Sequence, residues 1–448
     1  MSLELILRSI YLLMSRAFGI GLGWLRGSRL SVPMCCLGAM AGYTIYCLIA
    51  DQWISSRRCQ TVEKRRRLRE RTMAAGKGVS GADGDTAVAQ YSSLEIGGRF
   101  VNPFVGWRDK TLLDFVWWLV TRQSGNGLTS DQLELERNLP LTEPNFELLD
   151  ALSGAQHPQR QRQSHTASYN DEYAGFPAIA DLSRDNTITA TWFGQSTCFV
   201  QLEGLNILTD PIFKRRTVFS WLGPERLRPA PCQLADLPLP DIVLVSHNHF
   251  DHLDVDVVRE LGNTVTWYVP LGLRDWFVNR GVYKVIEMDW WQECEHVVED
   301  KRFTIVSTPT QHWSGRNGFD SNCSLWSSFL VRGACLSVFH CGDTGYCPAF
   351  SEVGRRYGPV SLAILPIGSY EPRWYMCHQH INPEDAVLIH RDLGARNSIG
   401  VHWGTFMMSD EHYMAPPRDL LQACVKHGLG DAEFIAPKLG RTMIYESK

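Results

Sequence analysis

Nine residues, SHNHFDHLD from Ser246 to Asp254, carry three histidines and two aspartates. His247 and His249 are two apart, so an extended segment presents them on one side, while Asp251 and His252 turn elsewhere. One short loop of this kind serves two cations, His247 and His249 facing one, Asp251 and His252 the other. Neither set is complete, because zinc usually takes four ligands. Further histidines and aspartates are therefore expected at the ends of other strands. His312 follows TIVSTPTQ, Asp343 follows LSVFHCG, and His402 follows SIGV. The seven residues divide into His247, His249 and His312 for one ion and Asp251, His252 and His402 for the other, with Asp343 between them. Two divalent ions about 3.5–4 Å apart activate a shared water and clamp the attacking and leaving oxygens of a displacement. Imidazole and carboxylate without thiolate suit Zn²⁺, with iron or manganese as alternatives. A lone histidine at a strand end is most often a hydrogen-bonded surface residue. A structural zinc site is closed and often cysteine-rich. Seven residues drawn from four separate stretches, none of them cysteine, fit neither description.

The elements that position these residues are legible as short apolar runs stopped by Gly, Pro or a polar residue. TITATWFGQSTCFVQL from Thr187 and LNILTDP from Leu205 have the β-branched and aromatic content of paired strands. DIVLVSHNH, RFTIVSTPTQHW, LSVFHCGDTG, LAILPIGSYEP and SIGVHWGT repeat the plan of a buried strand ending in chemistry. Between them DVDVVRELG and NPEDAVLIHRDLG read as helices, the second with Asn382 as N-cap and Gly394 as C-cap. Strands alternating with helices imply a layered α/β domain.

The first 70 residues differ in kind. Leu30–Ala50 is a 21-residue stretch without charge, enough to cross a hydrocarbon core of about 30 Å as a helix. Upstream, an apolar stretch interrupted by Arg8, Arg16 and Arg26 reads as an interfacial helix or part of a targeting sequence. Downstream, KRRRLRER from Lys64 to Arg71 has six basic residues in eight. That excess would place the following domain on the cytosolic side and could contact anionic lipid. Residues 72–92 and the polar tract from Ser153 read as a flexible linker and a surface insertion. The organisation expected is a hydrophobic membrane-associated or targeting segment at 1–60, a basic stretch and linker at 61–95, and a catalytic domain at 96–448 with an insertion at about 153–173. With 44 basic and 48 acidic residues, the charge balance argues against a nucleic-acid partner. Thirteen cysteines, an odd number without a CxxC pair, argue for a reducing compartment.

HxHxDH followed by a distant His, a Gly-Asp and a final His resembles the ligand order of the metallo-β-lactamase superfamily. FVNPFVGW, LTDPIF, WYVPLGLRDW, MDWWQE, TPTQHW, GDTGYCPAF, LPIGSYEPRWYM, QHINPEDAV and VHWGTF, in this order, resemble the N-acyl-phosphatidylethanolamine-hydrolysing phospholipase D family more closely. The resemblance runs from Phe100 to the C-terminus, the Ser153 tract excepted. It implies an αββα sandwich, here preceded by an N-terminal membrane-associated helical segment, and two Zn²⁺ per chain. The implied reaction hydrolyses N-acyl-phosphatidylethanolamine to phosphatidic acid and an N-acylethanolamine. Its implied partners are a membrane phospholipid, the membrane surface and a second copy of the chain. Gln379 and His380 are implied as active-site residues, with His380 binding substrate or assisting the leaving oxygen. Arg373, in the aromatic loop GSYEPRWYM, is a candidate for the phosphate. A lactonase or another phosphodiesterase on the same scaffold is the alternative. The chain departs from the family at GQSTCF, where Gln195 stands in a segment that often reads Gly-His-Ala-Thr and is read as a change around the ligands and not among them, in its longer apolar N-terminus, and in the added Ser153 tract.

Overall fold

A computed structural model describes residues 31–74, 90–122, 127–154, 177–317 and 319–446, with side chains from residue 48 onward except at 69, 72–74 and 112. The chain divides into two units, one built from residues up to Asp109 with Asn317–Cys323, the other from Lys110–Arg316 and Ser324–Lys448.

In the first unit a single helix runs from Ser31 to Ala74. It includes the basic run Lys64–Arg71 and residues 72–74 of the stretch read as a linker, of which residues 75–89 lie outside the described residues. Arg66 and Arg67 both pair with Glu63, and Arg66 also pairs with Glu70, so part of this charge is answered within the helix itself. The buried Arg58 guanidinium donates to the carbonyls of Asn102 and Phe104, fastening the helix to the segment that follows. Among the described residues no helix is long and apolar enough to cross a membrane. Of the stretch Leu30–Ala50 expected to span, the helical backbone from Ser31 is described and the side chains of 31–47 lie outside the described residues. The upstream stretch with Arg8, Arg16 and Arg26, and residues 155–176 of the polar tract, lie outside them as well.

The second unit is built on two seven-stranded sheets. In the first, β1 (Thr187–Gly194), β2 (Thr197–Leu202) and β3 (Leu205–Thr209) form an antiparallel meander. From β3 the sheet continues in parallel through β4 (Ile242–Leu244), β5 (Thr266–Pro270) and β6 (Val285–Met288). In the second, β7 (Glu293–Val298), β8 (Lys301–Thr308), β9 (Ser328–Arg332) and β10 (Ser337–His340) are antiparallel. Parallel strands β11 (Leu362–Pro366), β12 (Asn397–Val401) and β13 (Phe434–Ile435) complete it. The last strand, β14 (Thr442–Glu446), returns to the first sheet and pairs with β1.

Helices cover the sheets. Val257, Val258 and Leu261 of the helix Val255–Leu261 pack with Phe193, Phe199, Leu208, Val243 and Trp267 of the first sheet. The helix Pro383–Asp392 packs against β11, burying Ala386, Val387 and Ile389. Its start is fixed by a reciprocal capping box between Asn382 and Asp385, and Gly394 follows its end in the left-handed region at φ 57°. Every strand expected from the sequence is present, and the αββα layering follows from apolar runs that must be covered on both faces.

Candidate metal centre

The seven residues of the sequence pattern leave the ends of four strands and meet. The loop after β4 carries His247 to His252, the one after β8 His312, the one after β10 Asp343, and His402 directly follows β12. All seven are buried except His249, which is partly so. Gly342, at φ 61°, turns the chain ahead of Asp343, and a Cβ there would stand 2.4 Å from that of Ser246. His402 itself adopts φ 62°, with its backbone N–H bonded to the carbonyl of Gln195.

Ligand atoms fall into two groups that share Asp343: His247, His249, His312 and Asp343, and Asp251, His252, Asp343 and His402. In the first, His249 Nδ1 lies 2.7 Å from His247 Nε2 and 3.4 Å from His312 Nε2. Asp343 Oδ2 stands 4.0 Å and 3.7 Å from the same two Nε2 atoms. In the second, His252 Nε2 is 3.3 Å from Asp251 Oδ2 and 3.2 Å from Asp343 Oδ2. His402 Nε2 is 3.6 Å from Asp251 Oδ2 and 3.2 Å from Asp343 Oδ1. Ligands about 2.1 Å from a tetrahedral ion are about 3.4 Å apart, so the second group has the spacing of one coordination sphere. Asp343 faces one group with Oδ2 and the other with both oxygens, the arrangement of a bridge.

The outer hydrogen bonds fix which nitrogens face inward. His312 Nδ1 must donate to the carbonyl of Gln379, 2.8 Å away, because a carbonyl only accepts. Its Nε2 is therefore a bare lone pair aimed into the site. Fully buried Asp210 takes His252 Nδ1 at 2.8 Å and His340 Nε2 at 2.9 Å. The same carboxylate receives the N–H and hydroxyl of Ser246, both at 2.6 Å. Ser246 Oγ thus donates to Asp210 and accepts from His247 Nδ1 at 2.9 Å, again leaving Nε2 inward. Such carboxylate–histidine pairs orient metal ligands and raise their basicity. Asp210 ends the run LTDP and was legible there only as a polar residue stopping a strand. His340 lies on β10 itself. Neither was singled out from sequence.

Electrostatics separate the two groups. Burial holds His249 and His312 down to about 3, and burial with neighbouring His252 holds His247 well below the ordinary histidine range, so all three are neutral. Burial alone would raise Asp251 and Asp343, but His252 and His402 hold both carboxyls well below their usual range. Burial likewise opposes charge on His252 and His402, yet the carboxylates around them raise the first well above its ordinary value and the second to about 9. Three neutral imidazoles with converging lone pairs and two ionised carboxylates, buried together, fit divalent cations. His252 Nε2 and Asp343 Oδ1 are buried without a hydrogen-bond partner, which accords with atoms meant for something other than hydrogen bonds.

The remaining candidates lie alongside. His380 Nδ1 is 3.9 Å from Asp343 Oδ2 and has no hydrogen-bond partner, and its ring is 5.3 Å from that of His312. Gln379 reaches the site through its backbone carbonyl, while its side-chain amide donates to Met376 Sδ at 3.4 Å. Arg373 donates to the carbonyl of His380 at 3.0 Å and to Asp385 at 2.7 Å, so its guanidinium anchors the His380 loop. Gln195, treated above as a departure from the family, places Nε2 2.6 Å from Asp251 Oδ2 and 2.7 Å from His402 Nε2.

Comparison with known proteins agrees with this geometry. Residues 205–403 match the beta-lactamase superfamily domain. An N-acyl-phosphatidylethanolamine-hydrolyzing phospholipase D of Caenorhabditis elegans is 42% identical over 58% of this chain and 76% of its own length. The Saccharomyces cerevisiae protein of that name, described as mitochondrial, is 34% identical over 80% of this chain and 78% of its own. With two such relatives covered over three quarters of their length and a superfamily domain spanning the histidine-rich strand ends, the chain belongs to the N-acyl-phosphatidylethanolamine-hydrolysing phospholipase D family of the beta-lactamase superfamily.

Proposed function

We propose that this chain is a metal-dependent phosphodiesterase that cleaves N-acyl-phosphatidylethanolamine to N-acylethanolamine and phosphatidic acid, using two zinc ions. The observation that carries the reading is Asp343 shared between two buried ligand groups, in a member of that family. When bound, two such ions supply an acidified water and neutralise phosphoryl oxygens. The chain's own residues hold that arrangement. Asp210 and Gln379 fix the tautomers of His252 and His312. His380, kept neutral by burial, presents a ring nitrogen without a protein partner beside Asp343. It is positioned to hydrogen-bond a substrate oxygen or pass a proton to the departing one. Arg373 supports the substrate indirectly, by holding the His380 carbonyl.

Attachment to the membrane surface belongs to the same reading. The helix Leu112–Thr121 exposes Leu113, Trp117 and Val120 at 79%, 61% and 75%, more apolar surface than a water-facing helix ordinarily leaves open. Trp118 of this helix stacks on Tyr375, in the helix Arg373–Met376 that precedes His380. An apolar face fastened to the loop of the active site suits an enzyme that draws its substrate from a bilayer. The deciding experiment is incubation of the purified chain with a panel of phospholipids and a lactone, with products identified by mass. Release of N-acylethanolamine with phosphatidic acid is expected. Hydrolysis of phosphatidylcholine alone, or of the lactone alone, would sink the assignment.

A further inference from the structure

The loop that carries four of the seven ligands, Ser246–Asp254, is neither helix nor strand along its length. Something other than a backbone ladder must fix the directions in which His247, His249, Asp251 and His252 leave it. Part of the answer is internal, since the His249 carbonyl accepts from the N–H groups of His252 and Leu253 at 3.2 and 3.1 Å. The carbonyls of Asn248 and Leu253 receive no backbone N–H among the described residues, although both residues are buried. A buried carbonyl left without a donor is costly, so these two need a side chain.

The donor comes from the loop after β8. Arg316 Nη1 stands 2.8 Å from the Leu253 carbonyl, 3.0 Å from that of Asn248 and 3.3 Å from that of His249. The two hydrogens of this nitrogen serve the shorter bonds, and the third carbonyl shares them. Bonds from an ionised donor are about twice as strong as neutral ones. The guanidinium also lies 4.3 Å from the centre of the Phe250 ring and 5.3 Å from that of Trp276, within cation–π range of both. The segment from Asn248 to Leu253 is thus wrapped round one cation.

The same contacts join the two loops that supply the first ligand group. Arg316 follows His312 by four residues, and His312 Nε2 has to meet His249 Nδ1 at 3.4 Å. Between them the Gly315 N–H donates to Asn248 Oδ1 at 2.6 Å, and the Trp313 ring packs edge-on against that of His249 at 4.1 Å. One of the three carbonyls belongs to a ligand, His249. The other two adjoin His247 and His252 in the chain.

From this we infer that Arg316 is a positioning residue of the metal centre. By drawing the Asn248, His249 and Leu253 carbonyls onto one guanidinium, it holds the HxHxDH loop in the shape in which its four ligands converge, in register with His312. The inference rests on the metal reading above and gives Arg316 no contact with ion or substrate.

The test uses the full chain, stripped of metal and titrated with Co²⁺. Far-UV circular dichroism of the metal-free proteins checks that each is folded. Arg316→Met keeps the length and apolar stem but removes the donors. It should bind Co²⁺ about 10–100-fold more weakly than wild type, the range for groups that orient metal ligands. The visible spectrum of the bound ion reports the angles between its ligands and should change as well. Arg316→Lys restores a cation with three donors for the three carbonyls, and should recover part of both affinity and spectrum. Arg316→Met that binds Co²⁺ as tightly as wild type with the same spectrum would overturn the inference, as would Arg316→Lys no better than Arg316→Met. Should Arg316→Met not fold, Arg316→Lys against wild type decides alone: weaker binding with an altered spectrum supports the clamp, and identical values overturn it. Wild type that takes up no Co²⁺ would overturn the metal reading as well.

Discussion

Asp343 and His380 lie 3.9 Å apart yet carry separable burdens. Asp343 faces both ligand groups, so Asp343→Asn removes the charge that both groups share. Loss of both metals by elemental analysis is expected together with loss of activity, and a fully active, two-metal variant would contradict the bridge. His380 belongs to neither group. His380→Ala should keep its metal content while kcat falls by about 10²–10⁴, the usual range for a general acid or base. Unchanged kcat would remove it from the chemistry. Lys110 shows a different balance. Its ammonium is buried without a hydrogen-bond partner, 3.6 Å from the centre of the Tyr375 ring, and burial lowers its pKa from 10.5 to about 7. Because the folded value is depressed, the unfolded chain binds more protons between those values, and stability rises with pH across that window. The penalty is complete below pH 7, amounts to about 5 kcal/mol at most, and disappears towards pH 10. Lys110→Met should therefore melt higher than wild type near pH 6, with the gap closing by pH 10. A gap that is constant with pH would place the cost elsewhere.

At the scale of elements, short buried strands do the positioning. β4, β10, β11 and β12 each bury nearly every residue, and the chain spends its polar residues immediately beyond them. These strands were readable because a run such as DIVLV cannot face water on either side. The helix Leu112–Thr121 was not singled out in the sequence, because an apolar run of ten residues is equally a buried strand or a core helix until its surroundings are known. Its capping box, Thr111 with Asp114, holds it as a helix while Leu113, Trp117 and Val120 stay outside. Replacing Trp117 and Val120 together by glutamate should leave the fold and metal content intact and reduce partition to phospholipid vesicles about tenfold or more, each tenfold being about 1.4 kcal/mol. Equal partition of variant and wild type would remove this helix from membrane contact.

For the whole molecule, the metal centre ties the two sheets together, since β4 lies in one and β8, β10 and β12 in the other. Cations that bind only the native state stabilise it by mass action, about 2.7 kcal/mol at a hundredfold excess over Kd. Chelation should lower the melting temperature by several degrees, and re-addition of Zn²⁺ should restore it. A melting temperature indifferent to chelator would mean that the ligand cluster holds itself together through its own ion pairs. Sedimentation of the same samples would test the homodimer that the family resemblance implies.

The amino-acid sequence by itself determined the ligand types, their order and the strand ends that carry them. Spacing such as HxHxDH is local, and an apolar strand stopped by polar residues has few other places to go. Only the tertiary structure decided which atoms meet. Asp210 serves His252 and His340 from positions 42 and 130 residues away. Gln195 reaches Asp251 and His402 across 56 and 207 residues. Arg373, a plausible phosphate ligand as an isolated cation among aromatics, is instead occupied by Asp385 and the His380 carbonyl. Partnership of this kind depends on register between distant strands, which no single stretch of sequence contains.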